Sequence, residues 1–383
     1  MEGTSRIGAL RWPTLVATAL AFAVTTTSLA GGATSYPSDK EKPVVKASLD
    51  GFALRWKSSG RNDLHGTVKD AATLQWNDRV TSWINQNATA AQRFRALQNA
   101  EYLDSAGDGY DQSISIGDGL GERLGIFYVE GRISGKLPKT AKLLNNTNGT
   151  VGRYLTTGAL KATFSYPRPF LTVDPRAAGV AGDSSSCRPS RVNASSLAGI
   201  RKGRPWADAG GNLLITRVAG VTDRTRQFAD TDVALSVGYG SASLCTGGSY
   251  PSGHTASAYL SGITLATLLP ELAPSILART SEAANNRIVL GVHYPLDVIG
   301  GRMVGELGVI ARWVDKKFRD ANILPAPRSW WPTSSRGAAA SWRPASRRTR
   351  PTAATPTPEP PCPVERVRWS PTVSPPRPCT RSG

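Results

Sequence analysis

Three short stretches hold side chains whose types and spacing suit chemistry better than packing. The first is GGSYPSGHTASAY, residues 247–259, which contains one of the three histidines in the chain. A helix N-terminus presents unpaired N–H groups and a partial positive charge. Ser252 adds a hydroxyl, and Gly253 lets the backbone approach a ligand closely. The turn therefore reads as an anion cradle with the His254 imidazole at its edge. The second stretch is KATFSYPRP, residues 161–169. Lys161 and Arg168, seven apart, fall on one face of a helix whose end the prolines bend. The third is NNRIVLGVHYPLDV, residues 285–298. Here Arg287, His293 and Asp297 lie within eleven residues, among Ile288, Val289, Leu290, Val292, Leu296 and Val298. Buried charges need partners, so these groups are expected to face one another around something anionic. Taken singly, the first stretch also suits a helix cap and the second a solvated basic face.

In this order, Lys-x6-Arg-Pro, Pro-Ser-Gly-His and Arg-x5-His-x3-Asp resemble the signature of the phosphatidic acid phosphatase type 2 superfamily. That superfamily includes lipid phosphatases, bacterial class A acid phosphatases and vanadium haloperoxidases. GSYPSGHT, residues 248–255, is similar to the class A acid phosphatase form in particular, and the resemblance spans residues 90–320. It implies a mostly α protein, a single helical-bundle domain with long loops. It also implies an exported, metal-independent phosphatase that hydrolyses phosphate monoesters through a phosphohistidine. His293 is then the nucleophile, and Asp297 holds its other ring nitrogen. His254 protonates the leaving alkoxide and later activates water. Lys161, Arg168, Arg287, Ser252 and the Gly253 N–H hold the phosphate oxygens. The cations take the place of a metal, no cofactor is needed, and vanadate is expected to inhibit. The third stretch departs from the usual pattern, with Asn286 where a serine normally precedes the arginine.

Two other functions fit the same residues less fully. A vanadium-dependent haloperoxidase would hold vanadate as its cofactor in this pocket, ligated by His293. A non-catalytic protein would bind wall polymer or another polyanion through a basic tail. The enzymatic reading calls for a small phosphomonoester as partner and requires no nucleic acid. It leaves substrate and oligomeric state open.

The elements that must carry these residues read as mostly helical from Val68 to Asp320. Apolar residues recur at helical spacing over 88–103, 114–131, 155–166, 254–269, 275–292 and 297–320. Strand-like alternation is scarce. Residues 34–66 read as polar and irregular, and residues 170–250 as a long loop region of Gly, Ser, Asp and Pro. The domain expected is 67–323. Beyond it, residues 324–383 hold ten arginines against two glutamates and 14 of the 27 prolines. Such a composition predicts a disordered tail. It also accounts for +8 of the net charge of +18, so charge alone says little about partners.

At the other end, Arg6 and Arg11 precede an apolar run, Trp12 to Val24, and small residues around Ala30 and Ala33. That order predicts a signal peptide over 1–33, with an uncleaved membrane anchor as the alternative, hence a secreted, periplasmic or wall-associated protein without a transmembrane domain once matured. Export suits the four cysteines, none of which forms a Cys-x-x-Cys pair. Cys187 is expected to pair with Cys245, worth roughly 4 kcal/mol by loop-closure entropy. His65, in NDLHG, reads as a surface-loop residue.

Overall fold

The computed structural model describes residues 35–101 and 111–330. The expected signal peptide and residues 331–383 of the expected tail lie outside the described residues. Among the described residues, eight helices have seven or more residues: α1 (Ala71–Asn87), α2 (Ala90–Glu101), α3 (Glu122–Ile133), α4 (Pro138–Leu144), α5 (Gly158–Phe164), α6 (Gly253–Leu268), α7 (Ala273–Val289) and α8 (Pro295–Val314). Shorter turns connect them. The only strands among the described residues form two antiparallel pairs: β1 (Trp56–Ser58) with β2 (Gly66–Val68), and β3 (Val221–Asp223) with β4 (Val233–Leu235). The fold is thus mostly α, as expected, and no described helix is long and apolar enough to cross a membrane.

Helix α6 is central, and α7 and α8 pack against it. Its contact with α8 is close enough to require glycine. A Cβ at Gly301 would lie 2.4 Å from the Ser252 carbonyl oxygen, and one at Gly305 would lie 2.5 Å from Tyr259 Cβ. Any side chain there would push α8 off the turn that carries Ser252 and His254. Leu260, Leu265 and Leu268 of α6, with Ile276 and Val289 of α7, are buried in the main core.

Several boundaries differ from the periodicity, each for a local reason. The run 114–131 is broken into a short helix Gln112–Ile116, a 3-10 turn Gly117–Leu120 and α3. Gly121 (φ 77°) turns the chain between them. The helix read over 155–166 is only α5, because Ser165 adopts a left-handed conformation (φ 46°) ahead of Pro167. The run to 320 ends at Val314, where Asp315 stops α8 and caps a further turn by accepting from Phe318 N at 3.0 Å.

Residues 34–66 are less irregular than their composition indicates. Phe52 stacks on Tyr250 with ring centroids 3.8 Å apart, and Trp56 Nε1 donates to the Phe164 carbonyl at 2.9 Å. Aromatic residues of this segment therefore form the wall behind α5 and the 247–254 turn. The fold also runs past 323: Ala326 and Trp330 are buried in the main core. Within residues 170–250 the chain is mostly loop, tied by the Cys187–Cys245 disulfide.

Candidate active site

Each stretch meets the others through a local device the sequence encodes. Ser252 caps α6: its hydroxyl oxygen accepts from Thr255 N (3.2 Å) and from the Thr255 hydroxyl (2.8 Å). The cap and cradle readings are therefore compatible, since the Ser252 proton remains to be donated. Pro295 opens α8, and Asp297 reaches back to accept from Tyr294 N at 2.9 Å. The same carboxylate oxygen lies 3.1 Å from His293 Nδ1. Ser249 donates to the other oxygen at 3.4 Å, and Ser252 N donates to the Asp297 carbonyl at 2.9 Å.

The cations join the three stretches. Lys161 Nζ donates to the carbonyls of Gly248 (2.8 Å) and Ser249 (3.0 Å). Arg168 donates from Nε to the Gly247 carbonyl and from Nη1 to the Val292 carbonyl, both at 3.0 Å. The same Nη1 lies 3.3 Å from His293 Nε2. A guanidinium can only donate, so Nε2 must be the acceptor, and the ring proton lies on Nδ1, facing Asp297. His293 thus presents a lone pair toward the cationic cluster.

Burial and charge set the protonation states. Burial, followed by the Arg168, Lys161 and Arg287 charges, holds His293 well below the usual imidazole range. Burial and Arg287 do the same to His254, opposed by a hydrogen bond from its ring to the Ala100 backbone. Lys161 is also lowered, by burial and then by Arg168. Burial pushes Asp297 up to about 7 against the pull of the Tyr294 N–H and of Lys161 and Arg168. Asp297 accepts the Tyr294 N–H, and Arg168 leaves no proton on Nε2, so the contacts fit the ionised carboxylate.

All eight site residues read from the sequence converge here: Lys161, Arg168, Ser252, Gly253, His254, Arg287, His293 and Asp297. Arg287 is buried, and its charge acts on both histidines and on Lys161. A Cβ at Gly253 would meet Thr157 Oγ1 at 2.9 Å, so a side chain there would have to displace that hydroxyl. Asn286 turns its amide NH2 to the Asn99 side-chain oxygen, and Asn99 in turn donates to Ser115 Oγ at 2.8 Å. His65 lies in the β1–β2 connection, with Nδ1 3.5 Å from Ser196 Oγ.

Sequence reasoning missed the supports. On α1, Asn77 Oδ1 accepts from Leu296 N at 3.0 Å. Its neighbour Asp78 holds Arg201 through two bonds, at 2.9 and 3.0 Å, and Arg201 donates to the Tyr294 hydroxyl at 2.8 Å. Asp78 and Arg201 are completely buried. Two adjacent α1 residues therefore grip the 293–297 turn on either side of Pro295. Only Tyr294 and Ser249, which lie inside the motifs, had a signal in the sequence.

The helical fold thus sets an imidazole–carboxylate pair against a cluster of buried cations, and known proteins share its sequence pattern. The family model of the PAP2 superfamily matches residues 143–320. An acid phosphatase of Zymomonas mobilis subsp. mobilis is 36% identical over 97 residues, covering 25% of this chain and 37% of the relative. A non-specific acid phosphatase of Providencia stuartii is 38% identical over 96 residues, covering 25% and 39%. A decaprenylphosphoryl-5-phosphoribose phosphatase of Mycolicibacterium smegmatis is 32% identical over 138 residues, covering 35% of this chain and 73% of the relative. The chain belongs to the PAP2 superfamily. It spans less than two fifths of the length of the two acid phosphatases it matches.

Proposed function

We propose that the chain is an exported, metal-independent acid phosphatase that cleaves phosphate monoesters through a phosphohistidine at His293. The observation that carries this reading is the fixed tautomer: Nδ1–H toward Asp297 at 3.1 Å, Nε2 toward Arg168 at 3.3 Å. The Nε2 lone pair attacks phosphorus, and the bond from phosphorus to the ester oxygen breaks. The departing oxygen takes a proton from His254, while Asp297 offsets the charge left on the His293 ring. Lys161, Arg168 and Arg287 neutralise the equatorial oxygens. In the second half, water attacks phosphorus and gives its proton to His254. The P–N bond breaks, and its electron pair returns to His293.

Family membership and the acid phosphatases among the relatives support this assignment. Vanadate, a mimic of pentacoordinate phosphorus, should compete with substrate for the same cations, and activity should survive EDTA. The decisive experiment traps the intermediate. Acid-labile, base-stable phosphate should be recovered on His293 after a denaturing quench of turnover with a labelled monoester. Undiminished turnover by a correctly folded His293→Ala protein would overturn the assignment.

A further inference from the structure

Helix α1 is built inside out. Its buried residues are Leu74, Asn77, Asp78, Thr81, Ser82 and Asn85, five of the six polar. Those polar groups are bonded inward: Asn77 to Leu296 N, Asp78 to Arg201, Ser82 to the Leu214 carbonyl, and Asn85 to the Val289 carbonyl. The outward face carries Trp76, 54% exposed, and Trp83, 66% exposed. Amphipathic surface helices have the opposite order, so packing among the described residues does not explain the tryptophans.

The two rings share one side of the helix. At 100° per residue, positions 76, 79 and 83 fall within about 60° of one another, and seven residues separate the rings by roughly 10 Å along the axis. Arg79 lies between them and is exposed. Residues 200–214 run alongside, held by Gln75 Nε2 on the Ile200 carbonyl (3.0 Å) and by Ser82 and Gln86 on the Leu214 carbonyl (3.0 and 3.2 Å). This neighbour adds exposed Lys202, Arg204 and Leu214. Its one acid, Asp208, is bonded to Asn212.

We propose that this face docks on the surface of an anionic phospholipid bilayer. Trp76, Trp83 and Leu214 enter the headgroup layer, and Arg79, Lys202 and Arg204 meet lipid phosphates. Tryptophan's apolar ring and polar N–H suit that layer, and basic residues near an anionic leaflet each add attraction. Charge argues against a second copy as the occupant. The rim is cationic, with Arg79, Lys202 and Arg204 exposed, so a like patch would repel it. The proposal does not depend on the phosphatase reading.

The test is co-sedimentation of the full chain with vesicles of phosphatidylcholine alone, or of phosphatidylcholine and phosphatidylglycerol in equal parts. The protein should pellet with the anionic vesicles and be released by salt. The Trp76→Ser/Trp83→Ser double variant should stay in the supernatant with an unchanged melting temperature, and Arg79→Glu should bind roughly fivefold more weakly or worse. Three results would each overturn the proposal. The first is wild-type protein that ignores anionic vesicles or binds neutral ones equally. The second is a double variant that pellets like wild type, which would place the binding elsewhere on the chain. The third is self-association or RNA binding, without vesicle binding, that the tryptophan substitutions remove.

Discussion

At the scale of single residues, the candidate site sets two protonation demands against each other. Asp297 must be ionised to hold the Nδ1 proton of His293, and its pKa is raised to about 7. His254 must be protonated to serve as acid, and burial and Arg287 lower it well below the usual imidazole value. On the proposed mechanism the competent form is thus disfavoured in the free protein, and a bound phosphate dianion would favour it by drawing a proton to His254. The sign follows on each side. Raising the pH removes the His254 proton, and lowering it neutralises Asp297. The profile of kcat/KM should therefore be bell-shaped with its maximum below neutrality, as a rate-against-pH series on an alkyl phosphate will show. His254→Ala should lose roughly 10²–10⁴-fold in phosphoryl transfer from that ester. With nitrophenyl phosphate the loss should be clearly smaller, because the phenolate leaves without a proton. Single-turnover measurement isolates that step, and an equal loss on both esters would make His254 a phosphate ligand instead of an acid.

At the scale of elements, α1 explains how a loop turn can hold such geometry. Asp78, Arg201 and Tyr294 form a buried chain whose last member supplies the N–H that fixes Asp297. Buried ion pairs add little net stability, but breaking one strands a charge. Asp78→Ala should thus cost about 3–5 kcal/mol in denaturant unfolding. Tyr294→Phe is the subtler change, since it removes only the hydroxyl that Arg201 holds. A turn misplaced by a fraction of an ångström should lower kcat by roughly ten- to a hundredfold, with KM little changed because Lys161, Arg168 and Arg287 are untouched. Equal kcat in the two proteins would assign the chain a purely structural role. Of this buried chain, only Tyr294, inside the third motif, had a signal in the sequence. The site residues were legible, because their chemistry is local: a cap, an i,i+4 pair on one turn, and two cations close in sequence, although Arg168 lies beyond the end of α5 and not on its face as the spacing predicts. The buttress spans α1, Arg201 and Tyr294, and nothing in the composition near Asp78 marks it. Its polar residues even argue against a buried face, and the buried side of α1 is intelligible only with its partners in place.

At the scale of the whole molecule, apolar periodicity placed most helices, but composition misplaced both edges of the domain. Residues 34–66 looked irregular because their contribution is a few aromatic rings set into other elements. The far edge was read at 323, where prolines and arginines begin, yet Trp330 is 1% exposed. Its ring stacks on Tyr128 at 5.6 Å, and its Nε1 donates to Thr140 Oγ1 at 2.9 Å. Tyr128 in turn accepts from Arg132, which is paired with the buried Asp111. Trp330 therefore covers a buried polar network joining α3 to the Asp111 turn, and one large side chain does so from within a sequence that looks unable to fold. Two truncations separate the tail's composition from this contact. A chain ending at Trp330 discards nine arginines and two glutamates, and it should keep its melting temperature and its hydrolysis of nitrophenyl phosphate. A chain ending at Leu324, or full-length Trp330→Ala, should lose roughly 3–5 kcal/mol, the usual cost of emptying a buried aromatic site. Denaturant titration of the three proteins measures both expectations. Equal stability in all three would mean that Trp330 rests on the core without supporting it. Loss of hydrolysis in the chain ending at Trp330 would shift the functional weight to the basic tail.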